Sequence, residues 1–124
     1  MRLKNVLIVV TDIERSKKFY KELFGLQVLM DFGKNVILTE GLVLQEKDEW
    51  ETLIGEEVAF GGKAMELYFE ERDLQRFVEK LEESPYDVKI LNPLVEEPGG
   101  RRVIRLYDPD MHVIEIAEAV RYEN

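Results

Sequence analysis

Residues 7–25 read LIVVTDIERSKKFYKELFG, and the change of hydrophobic period inside this stretch decides the fold. Its first residues belong to an apolar, β-branched run, Val6–Val10, which predicts a buried strand. Thr11-Asp12-Ile13-Glu14 follows in the form of a capping box, with Thr11 as N-cap and Glu14 reaching back to it. Apolar residues then fall at Ile13, Phe19, Tyr20, Leu23 and Phe24, a spacing that makes one helical stripe. Gly25 suits the left-handed position that closes a helix.

Working outward, three more strands are predicted at residues 26–30, 35–39 and 42–46, with Gly33-Lys34 and Glu40-Gly41 as their turns. The second half runs in the same order. Residues 64–70 alternate as a strand does. Asp73 opens a helix with apolar positions at Leu74, Phe77, Val78 and Leu81, and Ser84-Pro85 ends it, because proline lacks a backbone donor and disfavours helix before it. Strands are predicted at 88–95, 103–107 and 113–117, separated by turns at Pro98-Gly99-Gly100 and Asp108-Pro109-Asp110. The pattern βαβββ thus occurs twice. Asp12-Ile13 matches Asp73-Leu74, and Val43-Leu44-Gln45 matches Val113-Ile114-Glu115. A chain of 124 residues can build one proper core but not two independent domains. The expected organisation is one domain over 1–124: module one at 1–47, a linker at 48–62, module two at 63–120. In the linker, Trp50, Leu53 and Ile54 suggest a short helix-like turn ending at Gly61-Gly62 and packing over a sheet edge.

The fold class is therefore α+β, two tandem βαβββ modules whose curved sheets, in an eight-stranded open or barrel-like arrangement, surround a concave trough. The trough is expected to form within one chain or between two. Alternate residues face the helices: Val6, Ile8 and Val10, then Leu67 and Phe69, then Ile114 and Ile116. The opposite set, Asn5-Leu7-Val9, Glu66-Tyr68 and Val113-Glu115-Ala117, faces the trough. Polar side chains isolated among apolar neighbours are costly to bury without partners, so they mark a candidate site.

Composition narrows the functional classes. Acidic residues number 26 against 17 basic ones, a formal charge of −9, which disfavours nucleic acid as a partner. The acidity serves solubility or attracts cationic ligands. The absence of cysteine excludes thiol catalysis, disulfides and cysteine-ligated zinc. No apolar run is long enough to span a bilayer, and the N-terminus lacks the pattern of a signal peptide, so a cytoplasmic location is expected. Phosphate-binding glycine loops, an H-E-x-x-H pair and a G-x-S-x-G elbow are missing from the sequence. A single histidine makes a nucleophilic triad a poor fit.

Residues 7–25, together with ELYFEERDLQRFVEKL at 66–81 and RLYDPDMHVIEI at 105–116, resemble the vicinal-oxygen-chelate superfamily of glyoxalases, bleomycin-resistance proteins and extradiol dioxygenases. The resemblance covers almost the whole chain and implies the fold, a homodimer and a small-molecule ligand, but no one reaction. In metal-dependent members four positions meet at the trough floor, two at the starts of the modules' first strands and two on their last strands. By motif position these hold Asn5, Gln45, Glu66 and Glu115. Glu115 keeps the residue type usual at its place. Asn5 and Glu66 depart from it, since histidine is usual there. His112, in the closing turn, is expected to point away from Glu115.

Three readings of these residues stay open. They form a metal-free polar floor that binds an organic ligand, two carboxylates suiting an ammonium or guanidinium group. Alternatively Gln45, Glu66 and Glu115 hold one divalent metal ion, as in a lyase or isomerase of the glyoxalase I type, with Glu66 and Glu115 catalytic. Or they are hydrogen-bonded core groups without a ligand. Two carboxylates sharing a dry site repel each other, so one is expected to have a raised pKa. Arg105 and Tyr107 share a face that would let Arg105 neutralise a carboxylate or clamp an anion. Tyr68 is placed to stack on a ligand, and Trp50 to roof the trough.

Overall fold

In the computed structural model, which describes residues 1–119, the opening strand β1 (Val6–Val10) leads through two residues into the helix α1 (Ile13–Phe24). The N-cap is Asp12, whose side chain accepts from the backbone N–H of Arg15 at 3.1 Å. The capping box expected of Thr11 and Glu14 does not form. Thr11 lies one residue too early, its Oγ1 accepting from the Arg15 guanidinium at 2.9 Å, and Glu14 turns to Lys17 at 3.2 Å. An ionised carboxylate is the stronger acceptor at the positive end of a helix, which favours Asp12. Gly25 closes α1 at φ 70°, its N–H returning to the Lys21 carbonyl while that of Leu26 reaches Tyr20.

Strands β2 (Val28–Asp31), β3 (Asn35–Leu38) and β4 (Leu42–Glu46) complete the first sheet, in the order β1-β4-β3-β2. The β1–β4 pair is parallel and the others are antiparallel. A 3₁₀ turn, Thr39–Gly41, joins β3 to β4. Gly41 has φ 76°, and a Cβ there would stand 3.2 Å from the Lys4 carbonyl oxygen. The segment read as a linker carries a full helix, α2 (Lys47–Ile54), capped by the Glu46 carboxylate and ended by Gly55 rather than Gly61-Gly62. It packs against β4 and the edge strand β1.

A second compact unit begins at Phe60. Its elements are β5 (Glu66–Glu71), α3 (Leu74–Glu83), β6 (Ile90–Glu96), β7 (Arg102–Tyr107) and β8 (Val113–Glu118), with strand order β5-β8-β7-β6. Asp73 caps α3 by accepting from the Arg76 N–H at 3.0 Å. The end expected for module two, residue 120, lies outside the described residues. The fold is α+β, two tandem βαβββ modules, each an open four-stranded sheet.

Strand parity sorts the core. In module one, Ile8, Leu44 and Val36 are register partners on one face and are buried together with Phe19, Tyr20 and Leu23 of α1. Sequestering each such large side chain contributes about 2 kcal/mol. Val6 departs from the expected buried set. It opens an edge strand and keeps 36% of its surface exposed. In module two, Ile104, Leu106, Ile114 and Ile116 form the matching layer, with Leu67 and Phe69 half-buried beside them. No helix among the described residues is long and apolar enough to cross a membrane.

Candidate functional site

The opposite face of the second sheet carries a row of side chains at one level. Tyr68 on β5 is register partner to Glu115 on β8, Glu115 to Arg105 on β7, and Arg105 to Asn92 on β6. Paired residues of neighbouring strands project on the same side, with strands about 4.8 Å apart, so these four side chains interact as one set. Glu66, Val113 and Tyr107 form the adjacent row. Five of the residues singled out from sequence, Glu66, Tyr68, Arg105, Tyr107 and Glu115, are brought together here.

Burial and charge divide their roles. Glu115 is only 8% exposed, and its Oε1 lies 2.6 Å from Arg105 Nη2. Arg105 makes two longer contacts of 3.4 Å, from Nη1 to Asn92 and from Nη2 to Glu97. Glu66 stands more open, yet desolvation, reinforced by the nearby Glu115 carboxylate, raises its pKa above the ordinary value, with Arg105 opposing the rise. Tyr107 is buried, with Lys63 Nζ 6.0 Å from its ring centroid.

Arg101, absent from the sequence reading, completes the face. Its guanidinium carbon sits 5.3 Å from the Tyr68 ring centroid, a cation–π distance. The signal is present, since Arg101 has the parity of Arg105 and Tyr107, but it falls between the turn at Pro98-Gly99-Gly100 and the strand predicted from residue 103. Asn92 and Glu97 were missed because two register shifts interrupt the β6–β7 pairing, which strict alternation does not foresee. On this face Arg101 and Arg105 stand among Glu66, Glu97 and Glu115.

Module one is arranged differently. Gln45 is 3% exposed, and both ends of its side-chain amide are hydrogen-bonded. Its Oε1 accepts from Asn35 Nδ2 at 2.9 Å, and its Nε2 donates to the Glu46 carbonyl at 3.2 Å and to Glu49 at 3.5 Å. Asn5 precedes β1, and its Oδ1 and Cα lie against Gly41, whereas Gln45 is paired with Val9. Four residues along a strand amount to about 13 Å. Asn5 and Gln45 therefore do not meet at one point on this sheet. Trp50 is half-buried in α2. His112 stays in the closing turn, its N–H donating to Asp108 and its ring edge-on to Phe60.

Among the described residues no three His, Asp or Glu side chains are grouped to hold a metal ion. One carboxylate oxygen of Glu115, Oε1, faces the fixed positive charge of Arg105.

The glyoxalase-like domain family matches residues 3–121. A protein of unknown function from Agrobacterium tumefaciens shares 35% identity and a TM-score of 0.82, with 97% of this chain and 95% of that one aligned. A glyoxalase-related enzyme from Fulvimarina pelagi is 22% identical at TM-score 0.80, over 95% of this chain and 88% of that one. The fosfomycin resistance protein FosX of Listeria monocytogenes is 16% identical at TM-score 0.76, over 97% and 94%. These last two likenesses establish the fold alone. No curated protein matches the chain. The duplicated βαβββ order, the parallel β1–β4 and β5–β8 pairs and the family match over nearly the full length lead to one assignment: the chain belongs to the glyoxalase-like domain family of the vicinal-oxygen-chelate superfamily.

Proposed function

We propose that this protein binds a small organic molecule, without a metal ion, on the face bearing Tyr68, Glu115 and Arg105. The observation that carries the reading is the Arg105–Glu115 pair, 2.6 Å long and flanked by a half-exposed tyrosine and the second carboxylate, Glu66. Charged groups on an otherwise apolar sheet orient a polar ligand, while Tyr68 supplies contact area. A thermal-shift screen of neutral, anionic and cationic compounds tests it. Hits are expected with the wild type and not with Tyr68→Ala or Glu115→Gln. A screen without hits, or hits that survive both changes, would remove the proposal.

The competing reading is a metal-dependent lyase or isomerase with an ion at Gln45, Glu66 and Glu115. The raised pKa of Glu66 suits an acid or base. The Arg105 cation on Glu115 and the Asn35 donor on the Gln45 oxygen weigh against the ion. Metal analysis of protein purified without chelator separates the two, since stoichiometric divalent metal would favour the enzyme. A homodimer is proposed as well. It is supported by the edge strand β2, which leaves Leu29 and Met30 60% and 52% exposed. Sedimentation as a monomer at micromolar concentration would refute it. The cytoplasm is the proposed location, consistent with the lack of cysteine.

A further inference from the structure

Arg101 is an arginine without a carboxylate in a chain where acidic residues outnumber basic ones by 26 to 17. Among the described residues no acidic side chain pairs with it, and its Nε is buried with no hydrogen-bond partner. Three carboxylates of this sheet are taken by other arginines. Glu115 and Glu97 both face Arg105, and Glu118 takes Arg102 through Nε at 2.9 Å. A buried donor left unsatisfied is a deficit that native structures seldom carry unless something else fills it.

The position of Arg101 is fixed rather than loose. It is the residue after the β6–β7 turn, and its carbonyl accepts from the Glu97 N–H at 2.8 Å, while the Gly100 N–H closes the turn on Glu97 at 3.0 Å. The Tyr68 ring lies 5.3 Å from the guanidinium carbon, a cation–π contact that holds the charge over the ring. In that pose the fork of N–H donors along its edge stays available for a planar two-oxygen acceptor. The charge balance points the same way. Arg105 is paired with Glu115, whereas no carboxylate among the described residues pairs with Arg101, so the Arg101 guanidinium is the cation on this face left for a ligand.

We infer that the open face of module two takes a small organic anion with a planar two-oxygen head, a carboxylate being the simplest, held by the Arg101 guanidinium against Tyr68. This deepens the ligand-binding reading above and rests on it. It also reverses the ligand charge that the acidic composition suggests.

A matched probe series tests the inference: phenylacetate, its neutral amide phenylacetamide, and the cation phenethylammonium, titrated by NMR into the full-length protein. Phenylacetate is expected to bind at least about tenfold more tightly than either of the others. Arg101→Gln should erase that preference, and Arg101→Lys, which keeps the charge but loses the fork, should restore part of it. Circular dichroism checks that both variants fold. Preference for phenethylammonium overturns the inference while leaving the small-molecule site standing. Equal binding of the three probes, a preference that survives Arg101→Gln, or no saturable binding of phenylacetate also overturns it. The wider compound screen decides the site itself independently.

Discussion

Arg105 Nη2 lies 2.6 Å from Glu115 Oε1, donor and acceptor projecting from directly paired positions of β7 and β8. Glu115 is 8% exposed, and the Arg105 guanidinium is the cation set against it. Replacing one member strands the other in a poorly solvated place, whereas replacing both with apolar residues does not. Arg105→Met is expected to lower stability by about 2–4 kcal/mol, and the double variant Arg105→Met/Glu115→Leu to recover most of that loss. Urea denaturation of the four proteins in the cycle measures the coupling. Additive losses would show that the pair contributes nothing jointly.

Glu66 sets the sign of a pH effect. Desolvation and the Glu115 carboxylate raise its folded-state pKa above the ordinary 4.5. The native state then holds the proton more tightly than the unfolded chain, so stability falls as pH rises from that value through the folded pKa. Glu66→Gln removes the ionisation. The variant is expected to be more stable than wild type near pH 7 and to lose that advantage below about pH 4, where both states of the wild type are protonated. Thermal melts across this range check it, and an advantage that persists at low pH would contradict the assignment.

These two effects show where the sequence was informative. Strand parity placed Glu66, Tyr68 and Glu115 on one face and paired Arg105 with Tyr107, and the β7–β8 register brings the two sets together. The repeated helix starts at Asp12 and Asp73 marked the duplication, although Thr11 competed with Asp12 for the cap and only the hydrogen-bond geometry decides between them. Motif position set Asn5 beside Gln45, but register is a property of two strands together. The β1–β4 pairing puts Val9, not Asn5, opposite Gln45. Arg101 was hidden for a related reason, since a residue just past a turn has no alternation of its own to declare its face.

Gln45 illustrates a polar residue whose work is structural. Its Oε1 takes the Asn35 Nδ2 proton at 2.9 Å in a place that is 3% exposed. Asn35→Ala leaves that oxygen without its donor and is expected to cost about 1–2 kcal/mol. Binding of any compound found in the screen should be unchanged, because the ligand face proposed lies on the other sheet. Parallel stability and binding measurements on Asn35→Ala check both halves. A large loss of affinity at intact fold would return Gln45 to the list of ligand contacts.

Ser16 offers a test of the core independent of any ligand. It is fully buried on α1, and its hydroxyl has no hydrogen-bond partner among the described residues. A helix-interior serine of this kind carries both a desolvated hydroxyl and a lower helix propensity than alanine. Ser16→Ala deletes one atom and leaves a void smaller than a methyl group, so the packing loss is slight compared with these two gains. The variant is expected to be more stable by about 1 kcal/mol, read as a higher urea midpoint at unchanged slope. A destabilised Ser16→Ala would mean that the hydroxyl is satisfied in solution, by a water or by a shift of α1 toward a carbonyl.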